Sequence, residues 1–366
     1  MVDTSVLPEA WQTTPQGLLR ARGLGLDFPG DPGRMNAITD VEGVEVGSIT
    51  LIEGEGPLVR GEGPVRTGVT AVLPRGRGGL STPCWAAASM LNGNGELTGA
   101  WWLEETGRLE LAVTLTNTHS VGVARDATLA WAAERAPEAL EQDWGLPVAA
   151  ETYDGYLNDI GGFHVTREHV FQALDNARGG RLAEGSVGGG TGMICYGFKG
   201  GNGTASRRVM AGGGTWTLGI LVQANFGRAG DLVVLGNKVG SDGAVPLGGS
   251  GSVIAAIATD APLLPHQLKR LTRRVPLGLA RTGTSGNHSS GDIFLAFSTA
   301  NAAALGGAGR LQADFLSEDS LDPLFDAVVQ TTEEAVVNAL TANRAMTGRD
   351  GHRVLALPHA RIRRLY

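Results

Sequence analysis

The stretch Gly248-Gly-Ser-Gly-Ser-Val-Ile-Ala-Ala-Ile-Ala-Thr-Asp260 decides the fold of this 366-residue chain. It opens with small residues that favour tight turns and continues as a run of β-branched and small apolar residues. Such a run is typical of a strand that is buried on both faces of its sheet. Serine is an unusual choice for the first position of a buried strand, so Ser252 needs an explanation other than packing.

Ser252 gains the chemistry of a nucleophile if the bond between Gly251 and Ser252 is cut. The new α-amine would have a pKa of about 8, low enough to accept the hydroxyl proton near neutral pH in place of a histidine. Gly251 leaves room for the hydroxyl to attack the preceding carbonyl group. The alternative from the local pattern is an ordinary glycine-serine loop before a strand.

Hydrophobic patterning predicts a mixed α/β protein whose strands do not alternate regularly with helices, which argues against a doubly wound dinucleotide-binding fold. The predicted strands cover residues 65–74, 111–116, 216–222, 231–235, 252–259 and 292–298. The predicted helices cover residues 120–140, a segment that follows Pro265, and residues 320–343. Asn225 follows the third of these strands, and the triplet of Ser290, Gly291 and Asp292 begins the last.

Composition limits the classes of function. Glycine contributes 56 of 366 residues, about twice the usual share of ~7%, without the period of collagen. The net charge of −7 argues against a nucleic-acid-binding protein, and no apolar run is long enough for a membrane helix. Cys84 and Cys195 are far apart in the sequence and are interpreted as reduced thiols. A cytoplasmic enzyme is the default prediction.

Known cofactor and metal motifs are missing from the sequence. It contains neither a phosphate-binding P-loop nor a dinucleotide fingerprint, and neither a G-x-S-x-G elbow nor an H-E-x-x-H zinc motif. The seven histidines form no pattern of metal ligands. We therefore expect no metal and no cofactor.

Seven collinear blocks extend over nearly the whole chain and together form a specific pattern. They are Asn36-Ala-Ile-Thr-Asp-Val-Glu-Gly-Val-Glu-Val-Gly47, Val65-Arg-Thr-Gly-Val-Thr-Ala-Val-Leu-Pro74, Glu151-Thr-Tyr-Asp-Gly-Tyr-Leu-Asn-Asp159, Leu221-Val-Gln-Ala-Asn-Phe-Gly227, Gly251-Ser-Val-Ile-Ala-Ala-Ile-Ala-Thr-Asp-Ala-Pro262, Ser290-Gly-Asp-Ile-Phe-Leu-Ala-Phe-Ser298 and Met346-Thr-Gly-Arg-Asp-Gly351. With these blocks the chain resembles the DmpA/β-aminopeptidase family of self-processing N-terminal-nucleophile hydrolases.

The resemblance implies a single four-layer αββα sandwich that cuts itself into residues 1–251 and 252–366. It also implies a homotetramer and a metal-free aminopeptidase, amidase or esterase that acts on short substrates with a free N-terminus. Related proteins of this fold that act as acyltransferases or hydrolyse amide oligomers use threonine as the nucleophile, so a serine at position 252 disfavours both activities. A third hypothesis is an unprocessed binding protein without activity, against which the retained serines argue.

The resemblance assigns the nucleophile to Ser252. Ser250 is the competing candidate, because it also follows a glycine, but it would leave two extra residues before the strand. Ser290 and Asp292 match the second serine and the acid of the family. A hydroxyl there can relay a proton, and a carboxylate behind it can orient the hydroxyl or hold the Ser252 ammonium. Some members have glutamate at the acid position, and the local alternative is a turn before a strand.

Three further residues complete the predicted site. Asn225 would donate from its amide to a tetrahedral oxyanion, although a strand-end asparagine is commonly a turn former. The Glu151 carboxylate would pair with the substrate's α-ammonium, and the alternative is a solvated loop charge. Tyr153 would form a hydrogen bond near the scissile group, and the alternative is a packed aromatic ring.

Overall fold

Two β-sheets form the centre of the protein. In the computed structural model, the described part of the chain comprises residues 4–141, 144–246 and 251–366. Its strands are β1 (Glu45–Glu53), β2 (Val65–Leu73), β3 (Cys84–Gly93), β4 (Arg108–Leu109), β5 (Val113–Asn117), β6 (Val148–Thr152), β7 (Ile194–Cys195), β8 (Phe198–Lys199), β9 (Gly201–Ala211), β10 (Gly214–Asn225), β11 (Val233–Val234), β12 (Asn237–Lys238), β13 (Ser252–Thr259), β14 (Gly291–Ser298), β15 (Met346–Thr347) and β16 (Arg353–Val354).

Helices cover the outer faces of these sheets, and short 3-10 turns such as Thr118–Ser120 connect several elements. The α-helices of the described residues are α1 (Glu9–Gln12), α2 (Ala100–Thr106), α3 (Val121–Arg135), α4 (Arg167–Asp175), α5 (Pro265–Thr272), α6 (Val275–Arg281), α7 (Ala302–Leu305), α8 (Asp322–Thr341) and α9 (His359–Arg363).

The strand order places β13 inside the larger sheet. The smaller sheet has the order β1-β2-β5-β6, and the larger has the order β4-β3-β14-β13-β10-β9. Within the larger sheet β13 runs parallel to β14 and antiparallel to β10. All eight residues of β13 are buried, as its continuous apolar sequence predicts for a strand covered on both faces.

Three apolar cores define four layers. One core lies between the sheets and joins Val72 and Leu115 of the smaller sheet to Ile254 of the larger. A second packs α3 and α4 on the smaller sheet, and a third packs α5, α6 and α8 on the larger. The predicted αββα arrangement is therefore confirmed.

Strand and helix predictions agree with the structure except where the backbone turns. The predicted strand 111–116 begins only at Val113, because Leu111 has a φ of 59°. The predicted strand 231–235 shortens to two residues and ends before Leu235, whose φ is 42°. Such left-handed conformations interrupt a β-ladder. The helix predicted to reach residue 140 ends at Arg135 and is followed by a 3-10 turn that begins at Pro137.

Candidate active site

A cavity of about 730 Å³ opens where β13 begins and where β3, β6 and β10 end. Four of its polar residues, Asn94, Glu96, Tyr153 and Tyr156, lie in the loops that follow β3 and β6. The lining residues are Gly93, Asn94, Gly95, Glu96, Thr118, Glu151, Tyr153, Gly155, Tyr156, Gly192, Ile194, Asn225, Gly251, Ser252, Ser289 and Arg349. Five residues that the sequence predicted for the site thus meet at one cavity, namely Glu151, Tyr153, Asn225, Gly251 and Ser252.

Ser252 is the first residue of β13 and is only 4% exposed. Its hydroxyl donates a hydrogen bond of 2.7 Å to the carbonyl oxygen of Gly251. The backbone N–H of Gly291 on β14 donates to the same carbonyl at 3.1 Å and lies 3.3 Å from the Ser252 hydroxyl. An N–H group that polarises this carbonyl prepares it for nucleophilic attack. The competing candidate Ser250 lies outside the described residues.

Gly251 is a position that only glycine can occupy without rearrangement. A Cβ atom added there would lie 2.0 Å from the carbonyl oxygen of Asn225. This close approach lets β13 begin directly beside the end of β10, where Ser252 pairs with Asn225 across the two strands. Gly251 therefore brings the predicted nucleophile next to the predicted oxyanion donor.

The side chain of Asn225 is held at both ends of its amide. Its Oδ1 accepts a hydrogen bond of 2.8 Å from the N–H of Ile194, and its Nδ2 donates at 2.9 Å to the carbonyl of Tyr153. These two bonds fix the orientation of the amide, and Nδ2 carries a second N–H. A fixed amide at the cavity wall can donate to a developing oxyanion without reorganisation.

Ser290 and Asp292 form a buried pair behind the cavity wall. The Ser290 hydroxyl donates to Asp292 Oδ1 at 2.6 Å, so the aspartate is long enough to reach this serine. The other carboxylate oxygen accepts from Asn92 Nδ2 at 3.0 Å, and the N–H of Val253 also donates to the carboxylate. Burial raises the pKa of Asp292, while these hydrogen bonds oppose the shift. Neither Ser290 nor Asp292 lines the cavity itself.

Glu151 is a buried carboxylate at the cavity wall, with 2% exposure. It lies in β6 and accepts hydrogen bonds from the backbone N–H of Glu96 at 3.0 Å and from the Thr118 hydroxyl. Burial raises its pKa, while both hydrogen bonds and a nearby His119 oppose the shift. The solvated loop charge considered as an alternative is therefore wrong, because the carboxylate is desolvated and aligned.

Tyr153 follows Glu151 in the same wall and is 52% exposed. A Cβ atom added to Gly155 would lie 2.4 Å from the Tyr153 hydroxyl oxygen, so the ring lies over that glycine. The ring is therefore packed on Gly155 on one side, and its exposed part is available to a ligand in the cavity.

Several polar cavity residues were not predicted from the sequence, among them Arg349, Glu96 and Thr118. Arg349 belongs to the block Met346-Thr-Gly-Arg-Asp-Gly351, which contributes to the family resemblance but to which no site role was assigned. Thr118 and Glu96 had no motif of their own, and only the fold brings them to Glu151. In the described ranges no group of three or more histidine, cysteine or acidic side chains could hold a metal ion, and no helix could cross a membrane.

Residues 36–354 match the model of Peptidase family S58. The chain belongs to this family. It is 50% identical to beta-peptidyl aminopeptidase BapA of Sphingosinicella microcystinivorans, with 94% of this chain and 91% of that protein covered. On this basis the S58 chain is a hydrolase with aminopeptidase function of the N-terminal-nucleophile type.

Solved structures agree with the family assignment. One is the L-aminopeptidase D-Ala-esterase/amidase from Ochrobactrum anthropi, described as a prototype of the serine aminopeptidases and a variant of the Ntn hydrolase fold. It superimposes with a TM-score of 0.89 and 48% identity, and the match covers 94% of this chain and 97% of that one. A beta-aminopeptidase from Burkholderia sp. superimposes with a TM-score of 0.85 and 48% identity, again over 94% and 97%. The S58 chain therefore has the Ntn hydrolase fold.

Proposed function

We propose that the chain cuts itself between Gly251 and Ser252 and then uses Ser252 as the nucleophile of a metal-free aminopeptidase. The observation that carries the proposal is the contact of 2.7 Å between the Ser252 hydroxyl and the carbonyl of Gly251. A hydroxyl in this position needs only to rotate and lose its proton to attack the carbonyl carbon.

Self-cleavage proceeds by transfer of the Gly251 acyl group. The Ser252 Oγ bonds to the Gly251 carbonyl carbon and the C–N bond to Ser252 breaks, so that an ester forms and the Ser252 nitrogen takes up a proton as an amine. Water then hydrolyses the ester, which leaves a carboxylate on Gly251 and a free hydroxyl and α-amine on Ser252. The N–H of Gly291 stabilises the oxyanion at Gly251 during the first step.

Peptide hydrolysis repeats this chemistry on a substrate. The free α-amine of Ser252 takes the hydroxyl proton as Oγ attacks the scissile carbonyl, and it returns a proton to the leaving amine. Asn225 Nδ2 donates to the oxyanion, and the phenol of Tyr153 binds near the scissile group. Ser290 and Asp292 fix the start of β14 and β13 and relay a proton to the site. Water then releases the acyl group from Ser252.

Glu151 makes the enzyme an exopeptidase. Its carboxylate, already aligned by Glu96 and Thr118, pairs with the α-ammonium of a short peptide, amide or ester. Named relatives act on β-peptides or on L-aminopeptide and D-alanine ester and amide substrates, and we propose substrates of these classes here. We also propose that residues 1–366 form one domain and assemble as a cytoplasmic homotetramer.

The test compares Ser252→Ala with Ser289→Ala, which removes a hydroxyl from the same cavity wall. Wild type and S289A are expected as two fragments on a denaturing gel, with a new N-terminal Ser252 in mass spectra, and both should hydrolyse a dipeptide. S252A should remain one chain without activity. Two fragments from S252A would overturn the proposal.

A further inference from the structure

Arg349 is the one lysine or arginine among the cavity-lining residues of the described chain, where Glu96 and Glu151 supply the negative charges. Neither self-cleavage nor attack by Ser252 uses this guanidinium. Its side chain is only partly exposed and is held in place, so it differs from a solvated surface arginine. A fixed guanidinium in a substrate cavity favours ligands that carry a negative group such as a carboxylate.

The contacts of Arg349 orient its guanidinium. Nε donates to the carbonyl of Gly155 at 2.7 Å, Nη1 contacts Asp350 Oδ2 at 2.9 Å, and the backbone N–H donates to Leu157 at 2.9 Å. These bonds occupy Nε and Nη1, and among the described residues Nη2 has no hydrogen-bond partner. Asp350 offsets part of the charge, but its carboxylate is 38% exposed and also accepts from the N–H of Leu58.

The segment around Arg349 lies close against the backbone near Leu157. A Cβ atom on Gly348 would lie 2.1 Å from the carbonyl oxygen of Leu157, so a larger residue would push the segment away from the cavity. The neighbouring Asp350 has a φ of 57° and turns the chain back at once. The backbone therefore presents Arg349 to the cavity between two constrained residues.

One wall connects the two charged ends of the cavity. Glu151, Tyr153 and Gly155 follow one another along it, and Arg349 is bonded to Gly155. Four residue steps from Glu151 to Gly155 span at most about 14 Å, and the backbone of a dipeptide or tripeptide spans about 7–11 Å. The length of this wall is therefore of the same order as the length of a short peptide.

We propose that Arg349 binds the C-terminal carboxylate of di- and tripeptide substrates and so makes the enzyme favour short peptide acids. This inference rests on the proposed function, in which Glu151 binds the α-ammonium and Ser252 attacks the bond between the two. A peptide that carries charge at both ends then fits with its scissile carbonyl beside Tyr153 and Asn225.

The test measures kcat/KM for dialanine and for dialanine amide, which differ only in the charge of the C-terminus, in the L-, D- and β-forms. Wild type should prefer the acid to the amide by about tenfold or more in the form it cleaves best. Arg349→Gln should reduce that preference by about tenfold to a hundredfold, the usual effect of losing a hydrogen bond to a charged group. Arg349→Lys should retain part of it.

Arg344→Gln removes an exposed arginine of the same segment outside the cavity and is the matched control. The acid-to-amide ratio cancels general damage to the protein, and a denaturing gel reports self-processing of each variant. Equal kcat/KM for acid and amide in wild type, or an unchanged ratio in R349Q, overturns the inference. If R349Q does not fold, an unchanged ratio in R349K overturns it. Absence of all hydrolysis by the processed wild type would instead overturn the proposed function.

Discussion

Substitution of Gly251 by alanine tests the geometry on which self-cleavage depends. The added Cβ would lie 2.0 Å from the carbonyl oxygen of Asn225, whereas ordinary van der Waals contact begins at 3.4 Å. Because the added Cβ would meet backbone at the end of β10, either that strand or Gly251 must move by roughly 1 Å or more. Protein interiors are close-packed and resist such shifts. The φ of Gly251 lies outside the left-handed region, so the expected effect is steric alone.

Misplacement by about 1 Å can cost about a hundredfold in rate, and overpacking typically costs about 1–3 kcal/mol in stability. We therefore expect Gly251→Ala to fold but to appear mainly as one chain, with cleavage followed over time on denaturing gels. S252A supplies the uncut reference for thermal unfolding. Gly122→Ala is the matched control, since a Cβ there meets nothing within 4 Å, and it should process normally. Processing of G251A at the wild-type rate would refute the steric argument.

Two predictions concern buried carboxylates. Burial raises the pKa of Glu151, so 1/KM for a peptide should rise with pH as this carboxyl group ionises. Glu151→Gln should raise KM at least about tenfold and abolish this pH dependence. A pH dependence of 1/KM that remains in E151Q would contradict the role of Glu151 in binding the α-ammonium. Burial favours the neutral form of Glu334, but Arg207 and Arg22 outweigh it and lower its pKa to about 2. Its stabilising contribution should be complete above the ordinary pKa of 4.5 and disappear as pH falls through about 2. Glu334→Gln in an S252A background should cost about 3–5 kcal/mol at pH 7, measured by denaturant unfolding, and an unchanged midpoint would disprove this.

Features that depend only on neighbouring residues could be predicted from the local sequence. The apolar run after Ser252 predicted a buried strand, and Asn225 was expected at a strand end, where it is found. The pairing of these two residues across β10 and β13 could not be derived from local pattern, because it depends on strand order. The family resemblance supplied only the expectation that both residues belong to one active site.

Long-range contacts explain what sequence reasoning missed. Arg349 reaches the cavity through Gly155, 194 residues earlier in the chain, and Thr118 reaches Glu151 only because β5 and β6 are parallel neighbours. The errors in strand length have a different cause. Leu111 and Leu235 adopt left-handed conformations that apolar residues rarely take, so no propensity argument would place a turn there.

The order of strands in the larger sheet determines how the two fragments would be held together after the proposed cut between Gly251 and Ser252. β13 and β14 belong to residues 252–366, yet they lie between β3 and β10 of residues 1–251. Glu334 of the second fragment also holds Arg22 and Arg207 of the first. The two proposed fragments would therefore share hydrogen-bonded ladders on two sides, and their separation would require both ladders to break. Cleavage as proposed would give a heterodimer whose interface forms before the cut, so exchange of its halves between molecules would require unfolding.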